Sequence, residues 1–390
     1  MMVMGLLMQQ TAMVNDPLVF SLDARLLDKN RRAISAESAR LEPAYKALLK
    51  EADKALRSAP VSVIEKTNTP PSGDKHDYMS LAPYFWPDPS KPGGLPYIRK
   101  DGQTNPEVKD YKDKEYMPAL CRDLETLSLA YYFSGDEKYA AHATTLLRTW
   151  FLDPGTRMNP NLNYAQAIKG VNNGRGAGMI DARHFIKLVD AIGLIGASKS
   201  WAATDQQGMK KWFADFLQWM QTSPVGQDEM DAPNNHGAWY DALRLSLALF
   251  IGDTGQAKKI SLNAQERLDK QMDNDGRFPK ELERTISLHY TVFAMDAFFT
   301  IAKMSESIGI DWWSYTSPSG KSLRKGFDSV KPYITREKEW DGKQIKPFEF
   351  DEGYNLLVKA EQHLDCKSCI DKMKKIAGEN RDRLLINLLY

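Results

Sequence analysis

The chain has 390 residues, 42% of them hydrophobic and 26% charged, which is the balance of a protein with a large buried core. Its formal net charge of +1 gives no global field to attract nucleic acid or anionic lipid, so a polyanionic partner needs a local basic groove. No apolar run is long enough to cross a membrane, and three cysteines make no disulfide framework.

The first residues, MMVMGLLMQQTAM, are apolar and look like the tail of an export signal whose basic leading part is missing. Residues 1–20 are therefore read as a signal remnant, and the protein as periplasmic or secreted; a frayed terminus is the plainer alternative. Helical periodicity follows over 36–57 and 117–134, where Gly135 is a stop and Asp136 starts a helix that runs to about Phe151. The phrase Leu127-Ser-Leu-Ala130 before Gly-Asp returns as Leu245-Ser-Leu-Ala248 before Gly-Asp, a weak repeat of helix pairs. Stretches 178–197 with 203–222, and 285–307 with a later helix, fit the same hairpin plan. Such hairpins bury their faces only by stacking on neighbours. The expected fold is all-α, an incomplete (α/α) toroid of helical hairpins spanning residues 21–390 as one catalytic domain.

Two loops interrupt the helices. Residues 59–114 are rich in Pro, Gly and charge but carry Tyr78, Tyr84, Phe85, Trp86 and Tyr97, which argues against disorder. We read them as an ordered arm or lid over a cleft, with Lys75, His76, Tyr78, Trp86 and Arg99 as its ligand contacts; packing on the toroid alone is the bland alternative. Residues 153–177 end in the polar, glycine-rich VNNGRGAG, which supplies Asn172, Asn173 and Arg175. No strand precedes GRGAG, so it is no nucleotide fingerprint. Arg183 and His184 read as structural. Cys366 and Cys369 lack a partner pair, which argues against zinc; they read as helical surface or core cysteines, with a local disulfide as the alternative if the protein is exported.

The chemistry concentrates at Asn234-Asn235-His236 and at Glu283-Arg284-Thr285 with Tyr290. One Asn serves as a helix cap, with Pro233 before it. Tyr240 lies one turn beyond His236, on the same face. Arg284 and Tyr290 are too far out of phase to share a face of one helix, so Arg284 is expected before the helix and Tyr290 inside it. An amide, an imidazole, a guanidinium and a phenol, without a metal cluster or a serine elbow, suit removal of a proton next to a neutralised carboxylate. That is β-elimination from a uronic-acid sugar. Structural roles, with Tyr290 as a core tyrosine and Arg284 as a partner of Glu281 or Glu283, are the alternative.

At NNHGAWYD and ELERTISLHY, with GDKHDYMSLAPYFWPDP, GLPYIRKDGQTNPE and NNGRGAGMIDARH, the chain resembles the alginate lyase family of polysaccharide lyases over about residues 60–310. The resemblance implies an α/α toroid with a cleft, an anionic polysaccharide as substrate, and no metal or other cofactor. It matches Asn235 and His236, Arg284 and Tyr290 to the family's catalytic groups. It adds Asn173 as a further carboxylate neutraliser, with Arg175 nearby; Tyr240, by its place beside His236, is read as a substrate contact. Arg284 and Tyr290 stand one residue closer than in the better-known members, which marks a divergent branch. Tyr290, with a reference pKa of about 10, is useful as a phenolate if Arg284 lowers that value. A glycoside hydrolase using two of Asp231, Asp241, Glu281 and Glu283, or a non-catalytic glycan-binding protein, are the competing readings.

Overall fold

The structure is a computed structural model in which residues 16–364, Cys366, Cys369 and residues 382–390 are described. Most of the suspected signal remnant, residues 1–15, lies outside them.

Helix α1 (Ala24–Ser35) starts where the Asp23 carboxylate accepts the Leu26 N–H, and α2 (Glu42–Ala55) follows. The arm comes next, and then α3 (Asp113–Ser134) and α4 (Glu137–Leu147). Between these two, Gly135 takes the left-handed conformation (φ 73°) that favours glycine, and Asp136 caps α4 by accepting from Lys138 N–H. The expected helical hairpin is therefore present, closed by the two residues that the sequence marks for it.

Stretch 178–197 departs from expectation. Residues Gly176–His184 form successive 3-10 turns, and the α-helix α5 spans only Phe185–Ile195. Gly178 is pressed so close to Ala165 that a Cβ would lie 2.6 Å from its side chain, and this approach holds the segment off a regular helix. Helices α6 (Ala203–Thr222), α7 (Pro224–Met230), α8 (Asn235–Ile251) and α9 (Thr254–Gln271) follow. The remainder are α10 (Pro279–Leu282), α11 (Ser287–Glu306), α12 (Leu323–Ile334), α13 (Phe350–Leu364) and α14 (Ile386–Leu389). Helices α1, α7 and α10, and all but one of α12–α14, go beyond the expected set; α1 buries only Leu27 and Asn30, and α7 and α10 are too short to show a period.

These helices form an incomplete α/α toroid. Helices α3, α5, α8 and α11 lie side by side as the inner row, and α4, α9 and α12 each return outside their inner partner. Sequence separates the two rows. Helix α8 is buried on nearly every side, from Ala238 through Phe250. Helix α9 buries only the stripe Ala257, Ile260, Ser261, Ala264, Gln265, Leu268 and Gln271, spaced for one face. Helix α6 packs on α8, and its Trp212, Phe213 and Phe216 gather around Phe185 at the start of α5. Cys366 and Cys369 are joined as a disulfide beyond α13. Among the described residues no helix is long and apolar enough to cross a membrane.

The arm is ordered and is built into the toroid. Strand β1 (Met79–Leu81) pairs in parallel with β4 (Tyr164–Ala167), and β2 (Phe85–Trp86) pairs antiparallel with β3 (Ile98–Arg99). One carboxylate fastens its base. Asp113 at the start of α3 accepts from Met79 N–H at 3.0 Å and pairs at 2.9 Å with Lys66, and both side chains are fully buried. Lys66→Met would leave Asp113 as an uncompensated buried charge. It should cost about 3–5 kcal/mol in urea unfolding, and a loss below about 1 kcal/mol would show that the pair does not anchor the arm.

A second buried carboxylate, Asp190 of α5, ties down the N-terminal segment by accepting from Phe20 N–H at 2.6 Å and from the Ser21 hydroxyl at 2.5 Å. Burial pushes its pKa up to about 6 against the donors that hold it down. Its folded pKa is raised, so its contribution is complete below the ordinary carboxylate pKa of about 4 and is lost as pH rises through about 6. Asp190→Asn stays neutral throughout. Its stability relative to the unsubstituted protein, read from denaturation midpoints, should therefore rise between pH 4 and 7, and a flat difference would refute the shift.

Candidate active site

The segment between α7 and α8 sets the first wall of a cleft of about 630 Å³. Asn234 caps α8 by accepting from His236 N–H. Asn235, the first residue of the helix, is almost wholly buried and gives both its backbone N–H (2.6 Å) and its amide Nδ2 (2.8 Å) to the Glu281 carboxylate. Its Oδ1 is buried with no protein partner. Burial raises the Glu281 carboxyl above its usual range, against the pull of the Asn235 donors. His236 next to it is about one-fifth exposed, and its Nδ1 lies 2.7 Å from the carboxylate of Glu229 on α7.

The second wall comes from the junction of α10 and α11 together with the arm. As expected, Arg284 precedes α11 and Tyr290 sits one turn inside it. Asp101, from the loop after β3, binds the Nε and Nη2 edge of Arg284 at 2.8–3.1 Å and also accepts from Arg99 and the Thr285 backbone. This clamp holds the guanidinium over the Tyr290 ring, its Cζ 3.6 Å from the centroid. The Tyr290 hydroxyl is 2.9 Å from that of Tyr84 on the arm. The expectation that Arg284 brings the phenol pKa below its ordinary value is corrected. Burial pushes it up, the neighbouring Tyr84 adds to this, and the Arg284 charge pulls the other way without winning. The phenol of the free site is protonated.

The third wall carries basic groups from β4 and the turns after it. Arg175 donates to Gln166 Oε1 at 2.7 Å and lies over the Phe85 ring, while burial lowers its pKa. Gln166 is a non-glycine residue at positive φ (50°), held there with its Nε2 on the buried Asp181 carboxylate. Lys114 is also paired with Asp181, and Arg183 lies over Phe293.

Six expected site residues therefore line one cleft: Tyr290, His236, Asn235, Arg284, Arg175 and Arg99. The others do not. Asn173 is exposed and borders a separate depression with Lys169 and Tyr111, because the loop folds tightly at Gly174, where a Cβ would lie 2.0 Å from Asn163 O. Tyr240 is buried with its hydroxyl on Met220 O, and Tyr78 is buried with its hydroxyl on Asp181, so both are core residues. Trp86 donates to Gln103 O and takes Lys100 over its ring, Lys75 donates to Lys66 O, and His76 meets Arg157 O; none of the three lines the cleft. Tyr84, Lys114, Gln166, Arg183 and Glu229 are the cleft residues that sequence reading missed or took as structural. Only Tyr84, in the aromatic run of the arm, gave a signal. Among the described residues no cluster of three or more His, Cys, Asp or Glu is placed to hold a metal ion.

The alginate lyase family profile matches residues 62–340. The chain belongs to the alginate lyase family. It is 41% identical to an alginate lyase from Bacteroides ovatus, with a TM-score of 0.91 over 96% of this chain and 99% of that one. It shares the fold of alginate lyase A1-III from Sphingomonas species A1, at 18% identity and a TM-score of 0.60 over 97% of each chain. A variant of that lyase complexed with a tetrasaccharide gives a TM-score of 0.61 at 18% identity, over 89% of this chain and 88% of that one. Comparison with curated proteins returns no match. This member of the family is thus a polysaccharide lyase.

The clamp gives a direct test of the geometry. Asp101→Ala should release Arg284 from the Tyr290 ring and lower turnover on the order of 10²-fold, the scale for a misplaced catalytic group. Circular dichroism and unfolding would check that the fold is intact, and unchanged turnover would rule the clamp out of the chemistry.

Proposed function

We propose that this lyase cleaves a uronic-acid polymer, alginate or a glucuronan, by metal-independent β-elimination. The observation that carries the reading is Tyr290 and His236 lining one cleft, with the Arg284 guanidinium over the phenol ring. The uronate C5–H becomes acidic only when charge on the C6 carboxylate is stabilised. Arg175, Arg99 and the second amide hydrogen of Asn235 are the donors for that carboxylate. Arg284 has its hydrogen-bonding edge committed to Asp101, so it acts chiefly on the phenol.

The base takes the C5 proton, the C–H electron pair becomes the C4–C5 double bond, and the C4–O4 bond breaks with its pair on oxygen. Tyr290, protonated in the free site, supplies the proton to O4. Where C5–H and O4 lie on the same face of the ring, Tyr290 must first lose its own proton and then serves as both base and acid; the cation over its ring favours that phenolate. On the opposite C5 epimer the proton lies on the other face, and His236 is the base.

The hydrolase reading loses support because its candidate carboxylates are engaged elsewhere. Glu281 is clamped to Asn235, Asp241 is paired with Arg267, and Glu283 is exposed beside Lys280. Of that set Asp231 alone lines the cleft. We further propose a periplasmic or secreted location, which the Cys366–Cys369 disulfide supports.

Tyr290→Phe should lower turnover of a polyuronate by about 10²-fold or more, read as loss of the ultraviolet-absorbing unsaturated product end. Near-full turnover in this variant would sink the assignment. Reducing ends formed without that absorbance would point to hydrolysis.

A further inference from the structure

Glu229 has no part in the elimination as written, yet it is a buried carboxylate in the wall of the cleft with its Oε1 2.7 Å from His236 Nδ1. A carboxylate accepts only, so the shared proton rests on Nδ1. A neutral imidazole then keeps Nε2 as a bare lone pair, and Nε2 has no protein partner among the described residues. The position of Glu229 is not accidental to its helix. Helix α7 is pressed onto the end of α6, where a Cβ on Gly226 would lie 1.8 Å from Met220 O, and Ser223 caps the helix through Gly226 N–H. The imidazole is fixed from the other side, because its backbone is anchored by Asn234 and its neighbour Asn235 by Glu281.

We infer that Glu229 is a positioning residue that holds His236 in the Nδ1-protonated tautomer, so that Nε2 is the base for the uronate epimer whose C5–H faces away from Tyr290. The inference rests on the elimination reading above. In the step it serves, Nε2 takes the C5 proton, the imidazolium so formed is stabilised by the Glu229 carboxylate, Tyr290 gives its proton to O4, and solvent restores both groups. Mannuronate and glucuronate carry C5–H and O4 on the same face, whereas guluronate, the C5 epimer, carries them on opposite faces. Glu229 therefore matters for guluronate and hardly at all for mannuronate.

Two measurements on the full chain test it. Long-range ¹⁵N NMR of the histidine-labelled protein should find His236 protonated at Nδ1 and bare at Nε2. Glu229→Gln should move the proton toward Nε2, and Glu229→Asp should leave it on Nδ1. Turnover of guluronate-rich blocks should fall by about 10²-fold in Glu229→Gln, with mannuronate-rich blocks within about threefold and recovery in Glu229→Asp. An Nε2-protonated ring in the unsubstituted protein, an equal loss on both blocks, or no guluronate turnover before any substitution would each overturn the inference. Failure of the elimination reading is separable, since it would abolish product on every polyuronate while leaving the tautomer as described.

Discussion

Asp101 and Arg284 form the contact on which the second wall of the cleft depends. Arg284 is about nine-tenths removed from solvent, and an arginine so placed needs a partner to offset its desolvation. The partner comes from the arm, not from the toroid. Burial raises the cost of the Asp101 charge, but Arg284, Thr285 and Arg99 together hold its carboxyl well below the usual range, so it stays ionised. The same pair fixes the guanidinium, whose Cζ lies 3.6 Å from the centroid of the Tyr290 ring. The arm is therefore part of the cleft wall rather than a cover laid over it, and the hydroxyl contact between Tyr84 and Tyr290 extends the same seam.

The cleft repeats this device. Lys114 has Asp181 behind it, Asn235 has Glu281, His236 has Glu229, and Arg175 has the amide oxygen of Gln166. Each of these four groups is oriented by a buried acceptor. Side chains held in this way are fixed in place before any ligand enters. It also explains how a chain of net charge +1 builds a basic surface. The counter-charges sit behind the wall, and the cationic faces of Arg99, Arg175 and Arg183 remain toward the cleft.

The helical plan was legible because its determinants are local. Gly135, Asp136 and Asn234 act on backbone groups within one turn, and the apolar runs of α3, α8 and α11 are long enough to mark helices. Arg284 before the helix and Tyr290 within it followed from rotation per residue alone. The arm was legible as ordered, from its aromatic content. Of the side chains it sends into the cleft, Arg99 was legible by its charge, whereas the choice among its rings was not. Tyr78 and Trp86 look alike in sequence as ring-bearing contacts, but strand pairing of β1 with β4 turns Tyr78 into the core, and pairing of β2 with β3 leaves Trp86 on Gln103.

The sequence by itself determined the class of the fold, the ends of its main helices, and the amide, imidazole, guanidinium and phenol that face the cleft. Only the tertiary structure decided which acceptor stands behind each of them. Asn235 meets Glu281 across 46 residues, Arg284 meets Asp101 across 183, and Tyr290 meets Tyr84 across 206. It also decided that Asn173 and Tyr240 stay out of the cleft and that the Tyr290 phenol is held up by burial rather than brought down by its arginine. The physical reason is range. Caps and periodicity are set within a few residues along the chain, whereas burial, pairing and proton affinity are set by whatever the folded toroid brings alongside.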